Sequence, residues 1–136
     1  MPDKYFVADT NIVISAAVFS SLNPALSLKK MVTLGSLAFS ELILQEYAET
    51  LSNNKFDKYL PLEKRLSFLE KFISEGILIT INRSVKICRD PKDDKYLELA
   101  VSCNASCIIT GDKDLLVLHP FENIPILTSA DFLNHY

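Results

Sequence analysis

The sequence predicts an α/β domain of three layers, with helices on both faces of a central, mostly parallel five-stranded sheet. Three observations lead there. Short apolar runs alternate with helical patterns through the 136 residues, as parallel strands joined by crossover helices require. The first run, Tyr5 to Ala8, is apolar throughout, as a strand buried on both faces should be. Four acids, Asp9, Glu46, Asp94 and Asp112, fall where strands end or in helical patterns that follow them. An open parallel sheet points its strand C-termini to one edge, so distant acids can meet there.

Asp9-Thr10-Asn11 closes the first strand and opens a helix over about 12–19, which any of the three could cap. Residues 21–24 read as a turn, with Pro24 near the start of a second helix that ends at Leu34-Gly35. Residues 36–39 form the second strand, and Ser40 is an N-cap for the helix that follows. Leu42, Ile43, Glu46, Tyr47, Thr50 and Leu51 fit its 3.6-residue period. Asn53-Asn54 breaks it. Pro61 begins another helix, with Leu62, Leu66, Leu69 and Ile73 at helical spacing up to Gly76.

Residues 77–81 are the third strand, and 85–88 a short extended piece. Asp90-Pro91-Lys92-Asp93 starts a helix that runs to about Cys103, with Asp90 as cap, Pro91 at N1 and Asp93 at N3. Residues 105–109 are the fourth strand, 113–118 a short helix and 125–127 the fifth strand. Ser129 then caps a terminal helix.

The length and the absence of a repeat, low-complexity tract or linker predict a single domain over 1–136. With 49% hydrophobic and 23% charged residues, the composition is that of a globular chain. No apolar stretch reaches the roughly 20 residues of a membrane helix, and the N-terminal pattern does not read as a signal peptide. Cys88, Cys103 and Cys107 are odd in number, form no CxxC pair and have only two histidines for company. Buried reduced thiols in a cytoplasmic protein are therefore expected, not disulfides or a zinc site.

The formal charge is −3, which argues against a strongly basic nucleic-acid binder that needs no metal. It does not exclude nucleic acid, because the chain without the four acids carries +1. Four carboxylates brought close together repel unless a cation sits among them, and Mg²⁺ or Mn²⁺ suits an all-oxygen set.

Taken singly, the acids are ambiguous. Asp9 could be a helix cap, Asp112 could cap the helix at Lys113, and Glu46 shares its helix with Glu41 and Glu49. Asp94 has no evident capping duty, whereas Asp93 does, yet periodicity alone does not separate the two. Asp114 is a further acid beyond the fourth strand.

As a set they are more specific. VADTNIVISA, SELILQEYAETLSNNKF, RDPKDDKYLELA, IITGDKDLL and ILTSADFL, in this order and spacing, resemble the PIN-domain family across nearly the whole chain. They are most similar to its branch of toxin components of toxin–antitoxin pairs. The resemblance implies a PIN-like sandwich and a Mg²⁺- or Mn²⁺-dependent endoribonuclease that hydrolyses single-stranded RNA. It places the catalytic and metal-binding acids on Asp9, Glu46, Asp94 and Asp112, with Thr10, Asn11 and Thr110 as small polar neighbours and Asp93 in support. It also implies a protein antitoxin as partner, and a homodimer.

Such chemistry needs no Ser, Cys or His nucleophile, and His119 and His135 are expected to be structural or solvated. Lys29, Lys30, Lys55, Lys58, Lys64 and Arg65 are candidate RNA contacts or simply a solvated face. Two other classes compete. One is a weak or inactive module that binds RNA or an antitoxin without cutting. The other is a phosphotransferase with an aspartyl nucleophile, resembling the haloacid dehalogenases. That class carries an acid two residues after the nucleophile, where this chain has Asn11, so it lacks the acid/base partner.

Overall fold

A computed structural model describes residues 4–136. Apolar strands and the helices between them follow in the expected order. They are β1 (Tyr5–Ala8), α1 (Thr10–Phe19), α2 (Leu22–Leu34), β2 (Ser36–Phe39), α3 (Glu41–Leu51), α4 (Leu62–Ser74), β3 (Gly76–Leu78), α5 (Asp94–Cys103), β4 (Cys107–Ile109), α6 (Lys113–Leu116), β5 (Ile126–Leu127) and α7 (Ser129–His135). Within the sheet, all pairings among the described residues are parallel and the strand order is β3-β2-β1-β4-β5.

The chain builds outward from β1 through β2 to β3, then crosses back to place β4 on the other side of β1. Right-handed crossovers put α1 to α4 on one face and α5 and α6 on the other. The C-terminal helix α7 returns to pack on α2, where Phe132 meets Phe6 edge-on at 5.6 Å. The direction of winding reverses between β1 and β4, and the crevice beyond their C-termini is the topological switch point.

The core strands need no polar compensation. Phe6, Val7, Cys107, Ile108 and Ile109 are all fully buried. Gly76 lets the edge strand in, since a Cβ there would lie 2.3 Å from the Phe39 ring. No single helix is long and apolar enough to cross a membrane among the described residues.

Several elements differ from the sequence expectation for definable reasons. The third strand is Gly76–Leu78, not 77–81. It is an edge strand, and β2 ends at Phe39, whose carbonyl takes the last ladder bond from the Ile79 amide at 2.8 Å. Beyond that bond no strand of the described residues continues the ladder, and Ile81 is left 36% exposed.

Residues 85–88, expected as a short extended piece, lie outside the sheet. Carboxylates of α5 take their amides instead, Glu98 from Val85 at 3.0 Å and Asp94 from Ile87 at 3.1 Å and Cys88 at 2.8 Å. On α4 the buried face is Arg65, Leu69 and Phe72, while Leu62, Leu66 and Ile73 remain partly exposed. Thr128, not Ser129, caps α7.

Candidate active site

The residue after each central strand is polar and held. Asp9 caps α1 by accepting the Ile12 amide on Oδ1 at 2.9 Å. Its Oδ2 accepts the Thr110 hydroxyl, from the end of β4. The same Thr110 oxygen accepts the Asp112 amide at 3.0 Å. One buried threonine thus ties the acid after β1 to the acid after β4. Asp112 in turn accepts the Asp114 amide at 2.9 Å and so caps α6. Both capping roles weighed in the sequence exist, but each uses only one carboxylate oxygen.

Burial pushes the Asp9 carboxyl up; bonds from Thr110 and the Ile12 amide oppose this, and the Asp112 and Glu46 charges add to it. The net direction is upward, as for an acid starved of counter-charge.

The structure divides the adjacent acids Asp93 and Asp94. Asp90 caps a 3₁₀ turn over Pro91–Asp93, accepting the Lys92 amide at 3.0 Å. The α-helix begins only at Asp94, and the Asp93 side chain makes no cap bond. It lies within hydrogen-bonding reach of Asp112. Burial, then the charge and hydrogen bond of Asp112, push the Asp93 carboxyl up to about 6.

Asp94 has a structural duty that the sequence pattern did not reveal. Its Oδ1 holds the Ile87 and Cys88 amides. Burial opposes its ionisation, but these amides outweigh burial and hold the carboxyl below its usual value. Burial first, then Asp94, push the neighbouring Cys88 thiol up to about 12. Cys88, Cys103 and Cys107 are all free thiols.

Glu46 approaches from α3. Its Oε2 accepts the hydroxyls of Thr10 and Tyr96, and its Oε1 pairs with Lys95 at 2.9 Å. Burial would raise this carboxyl, but the Thr10, Tyr96 and Lys95 bonds outweigh it and lower it. Asn11 is exposed on the first turn of α1. A cavity of about 690 Å³ opens beside Glu46, walled by α3, the 85–92 segment and α5.

Tyr96 and Lys95 were not anticipated. The available signal was a tyrosine within the apolar face of α5, because a buried phenol needs a partner.

The cationic candidates also sort. Arg65 is fully buried. Its guanidinium donates to the carbonyls of Leu60, Leu51 and Asn53 and pairs with Asp57, so it is not an RNA contact. Lys30 donates to the Leu133 carbonyl at 3.3 Å. Lys29, Lys55, Lys58 and Lys64 are exposed. His119 is structural, its Nδ1 accepting the Ile126 amide at 2.8 Å.

The acids gathered here, Asp9, Glu46, Asp93, Asp94 and Asp112, offer only oxygen donors, and the charges of Asp112 and Glu46 help to raise Asp9 while that of Asp112 helps to raise Asp93. That chemistry fits a hard divalent cation. The side chains as they stand do not form a closed cage: among the described residues, no three of His, Cys, Asp and Glu converge on one ion position.

The PIN domain family profile matches residues 5–114. An uncharacterized protein of Methanocaldococcus jannaschii is 36% identical over 118 residues, covering 82% of this chain and 73% of that protein. The fold is similar to that of VapBC2 from Rickettsia felis bound to a DNA fragment from its promoter, with TM-score 0.63 and 17% identity over 90% of this chain and 96% of that one. It is also similar to PAE2754 from Pyrobaculum aerophilum, with TM-score 0.65 and 15% identity over 96% and 88%. The chain belongs to the PIN-domain family, whose members are generally nucleases.

Proposed function

We propose that this protein is a divalent-metal-dependent endoribonuclease that hydrolyses phosphodiester bonds in single-stranded RNA, and that it is the toxin of a toxin–antitoxin pair. The observation that carries the nuclease reading is the Asp9–Thr110–Asp112 link at the β1/β4 switch point, with Asp93 facing Asp112. The toxin reading, with a protein antitoxin as partner, draws on the fold shared with VapBC2. Assembly as a homodimer and a cytoplasmic location belong to the same proposal.

Asp9, Asp94 and Asp112 would hold Mg²⁺ or Mn²⁺, Asp94 through the oxygen that the Ile87 and Cys88 amides leave free, with Glu46 beside them and Asp93 in support. A bound cation of this kind supplies charge neutralisation at the phosphoryl oxygens and lowers the cost of activating a water. Thr110 fixes the orientation of Asp9 and the approach of Asp112. Thr10 does the same for Glu46. Such supporting bonds keep ligands in place before substrate arrives.

The open geometry of the acids favours one second reading, a module that binds RNA or antitoxin and does not cut. Cleavage of a labelled single-stranded RNA separates the two. The nuclease cuts with Mn²⁺ or Mg²⁺, stops with EDTA, and loses at least about 100-fold in rate in Asp9→Asn, since even partners of ligands are worth about 10–100-fold. Cutting that survives EDTA or Asp9→Asn at the full rate refutes the assignment. A folded, metal-binding protein that cuts no RNA supports the binding module.

A further inference from the structure

Tyr96 sits on α5, only 3% exposed, and no part of the proposed chemistry requires it. Its hydroxyl nevertheless meets three groups of the site. It accepts the Thr10 backbone amide at 3.1 Å, lies 2.6 Å from the Thr10 hydroxyl, and donates to Glu46 Oε2 at 2.5 Å. The Thr10 hydroxyl donates to that same Glu46 oxygen. Two hydroxyl protons are therefore both satisfied by one carboxylate oxygen, and the Thr10 amide fills the phenol oxygen's acceptor position. Thr10 directly follows Asp9, so this triangle fixes an oxygen of α3 against the backbone at the end of β1. The other Glu46 oxygen pairs with Lys95, whose ammonium lies 4.9 Å from the Tyr96 ring centroid.

We propose that Tyr96 is a positioning residue of this site: its hydroxyl, shared with Thr10, holds Glu46 beside Asp9 so that the carboxylates are preorganised for a divalent cation. A partly exposed glutamate on a helix has many rotamers to lose, and immobilising it beforehand removes that cost from binding. A phenylalanine at 96 would fill the same space without fixing the carboxylate. The inference rests on the metal-dependent nuclease reading above, and its test keeps the two apart.

The test is Mn²⁺ titration by calorimetry on the full chain, comparing wild type, Tyr96→Phe, Thr10→Val and the double variant. RNA cleavage and the thermal midpoint in EDTA are measured beside it. Tyr96→Phe is expected to bind Mn²⁺ about 10-fold more weakly, within the range for lost partners of metal ligands. Its kcat falls, its KM for RNA holds, and raised Mn²⁺ recovers part of the rate. The two single variants are expected to be non-additive in Mn²⁺ affinity, because both hydroxyls act on one oxygen.

Tyr96→Phe with wild-type Mn²⁺ affinity overturns the proposal, whether or not its EDTA midpoint drops, since a drop alone marks a packing role. Additive effects overturn the shared triangle, and Thr10→Val carries that arm if Tyr96→Phe does not fold. Wild-type protein that binds no Mn²⁺ overturns the metal-dependent reading itself, and the positioning role with it.

Discussion

Asp93 and Asp112, nineteen positions apart in sequence, face each other within hydrogen-bonding reach. Burial and that contact hold the Asp93 carboxyl at about 6, well above the ordinary 3.8. A carboxyl raised by folding stabilises the fold when protonated. Its contribution is complete below the unfolded value and is lost as pH rises through the folded one. Asp9 shifts in the same direction. Glu46 and Asp94 shift down, so their contribution is instead lost in acid, below about pH 4 to 4.5. In EDTA the thermal midpoint should therefore fall between about pH 4.5 and 6, and Asp93→Asn should flatten that fall. A midpoint that rises through this window contradicts the pairing.

The neighbouring acids should separate by phenotype. Asp94→Ala leaves the Ile87 and Cys88 amides without their acceptor. Each hydrogen bond to a charged group is worth about 1.5–3 kcal/mol, so a loss of about 3 kcal/mol in urea unfolding is expected. Asp93→Ala removes no cap bond and relieves repulsion, so it should fold at least as stably as wild type while losing metal affinity. Equal destabilisation by both variants would mean that the assignment of duties is wrong.

The difference between these two acids shows where the sequence stops being informative. The order of elements along the chain was legible because buried parallel strands leave continuous apolar runs and helices leave a 3.6 period. Asp9 and Asp112 stand out for the same reason, since Asp9 directly follows β1 and Asp112 lies three residues past the end of β4. Asp93 and Asp94 were not separable, because the 3₁₀ turn over Pro91–Asp93 rotates the first residues out of α-helical phase. Arg65 looks like a surface cation in sequence because its partners are the carbonyls of Leu51, Asn53 and Leu60, which leave no mark there. The third strand looks longer in sequence than it is because its length is set by β2, a partner elsewhere in the chain. The Tyr96–Glu46–Thr10 triangle spans 86 positions and depends on tertiary packing alone.

Divalent metal should stabilise the fold by mass action. A cation that binds the native acids and not the unfolded chain adds about 1.4 kcal/mol for each tenfold rise in concentration above its dissociation constant. Thermal scans in Mg²⁺ from 0.1 to 10 mM (~100-fold, chosen to span common affinities) should show a rising midpoint. Ca²⁺, with the same preference for oxygen, should raise it too, without supporting cleavage. In Asp9→Asn the metal-dependent rise should shrink while the metal-free midpoint holds or increases, since a buried charge has been removed. A midpoint unmoved by Mg²⁺ across the whole range would leave the acids without their cation.

Arg65 gives the sharpest test of what is structure and what is substrate contact. Its guanidinium is fully buried and serves three backbone carbonyls that close the connection from α3 to α4, with Asp57 as counter-ion. Removing one partner of a buried ion pair costs about 3–5 kcal/mol, and three carbonyls lose their donor as well. Arg65→Ala should therefore unfold at markedly lower urea. Arg65→Lys should recover little, because an ammonium cannot reproduce the planar fork that reaches carbonyls on several sides. Lys64→Ala, next in sequence but exposed, should leave the urea midpoint within about 0.5 kcal/mol of wild type. If Arg65→Ala folds normally and only weakens RNA binding, the side chain faces the substrate and does not hold the α3–α4 connection.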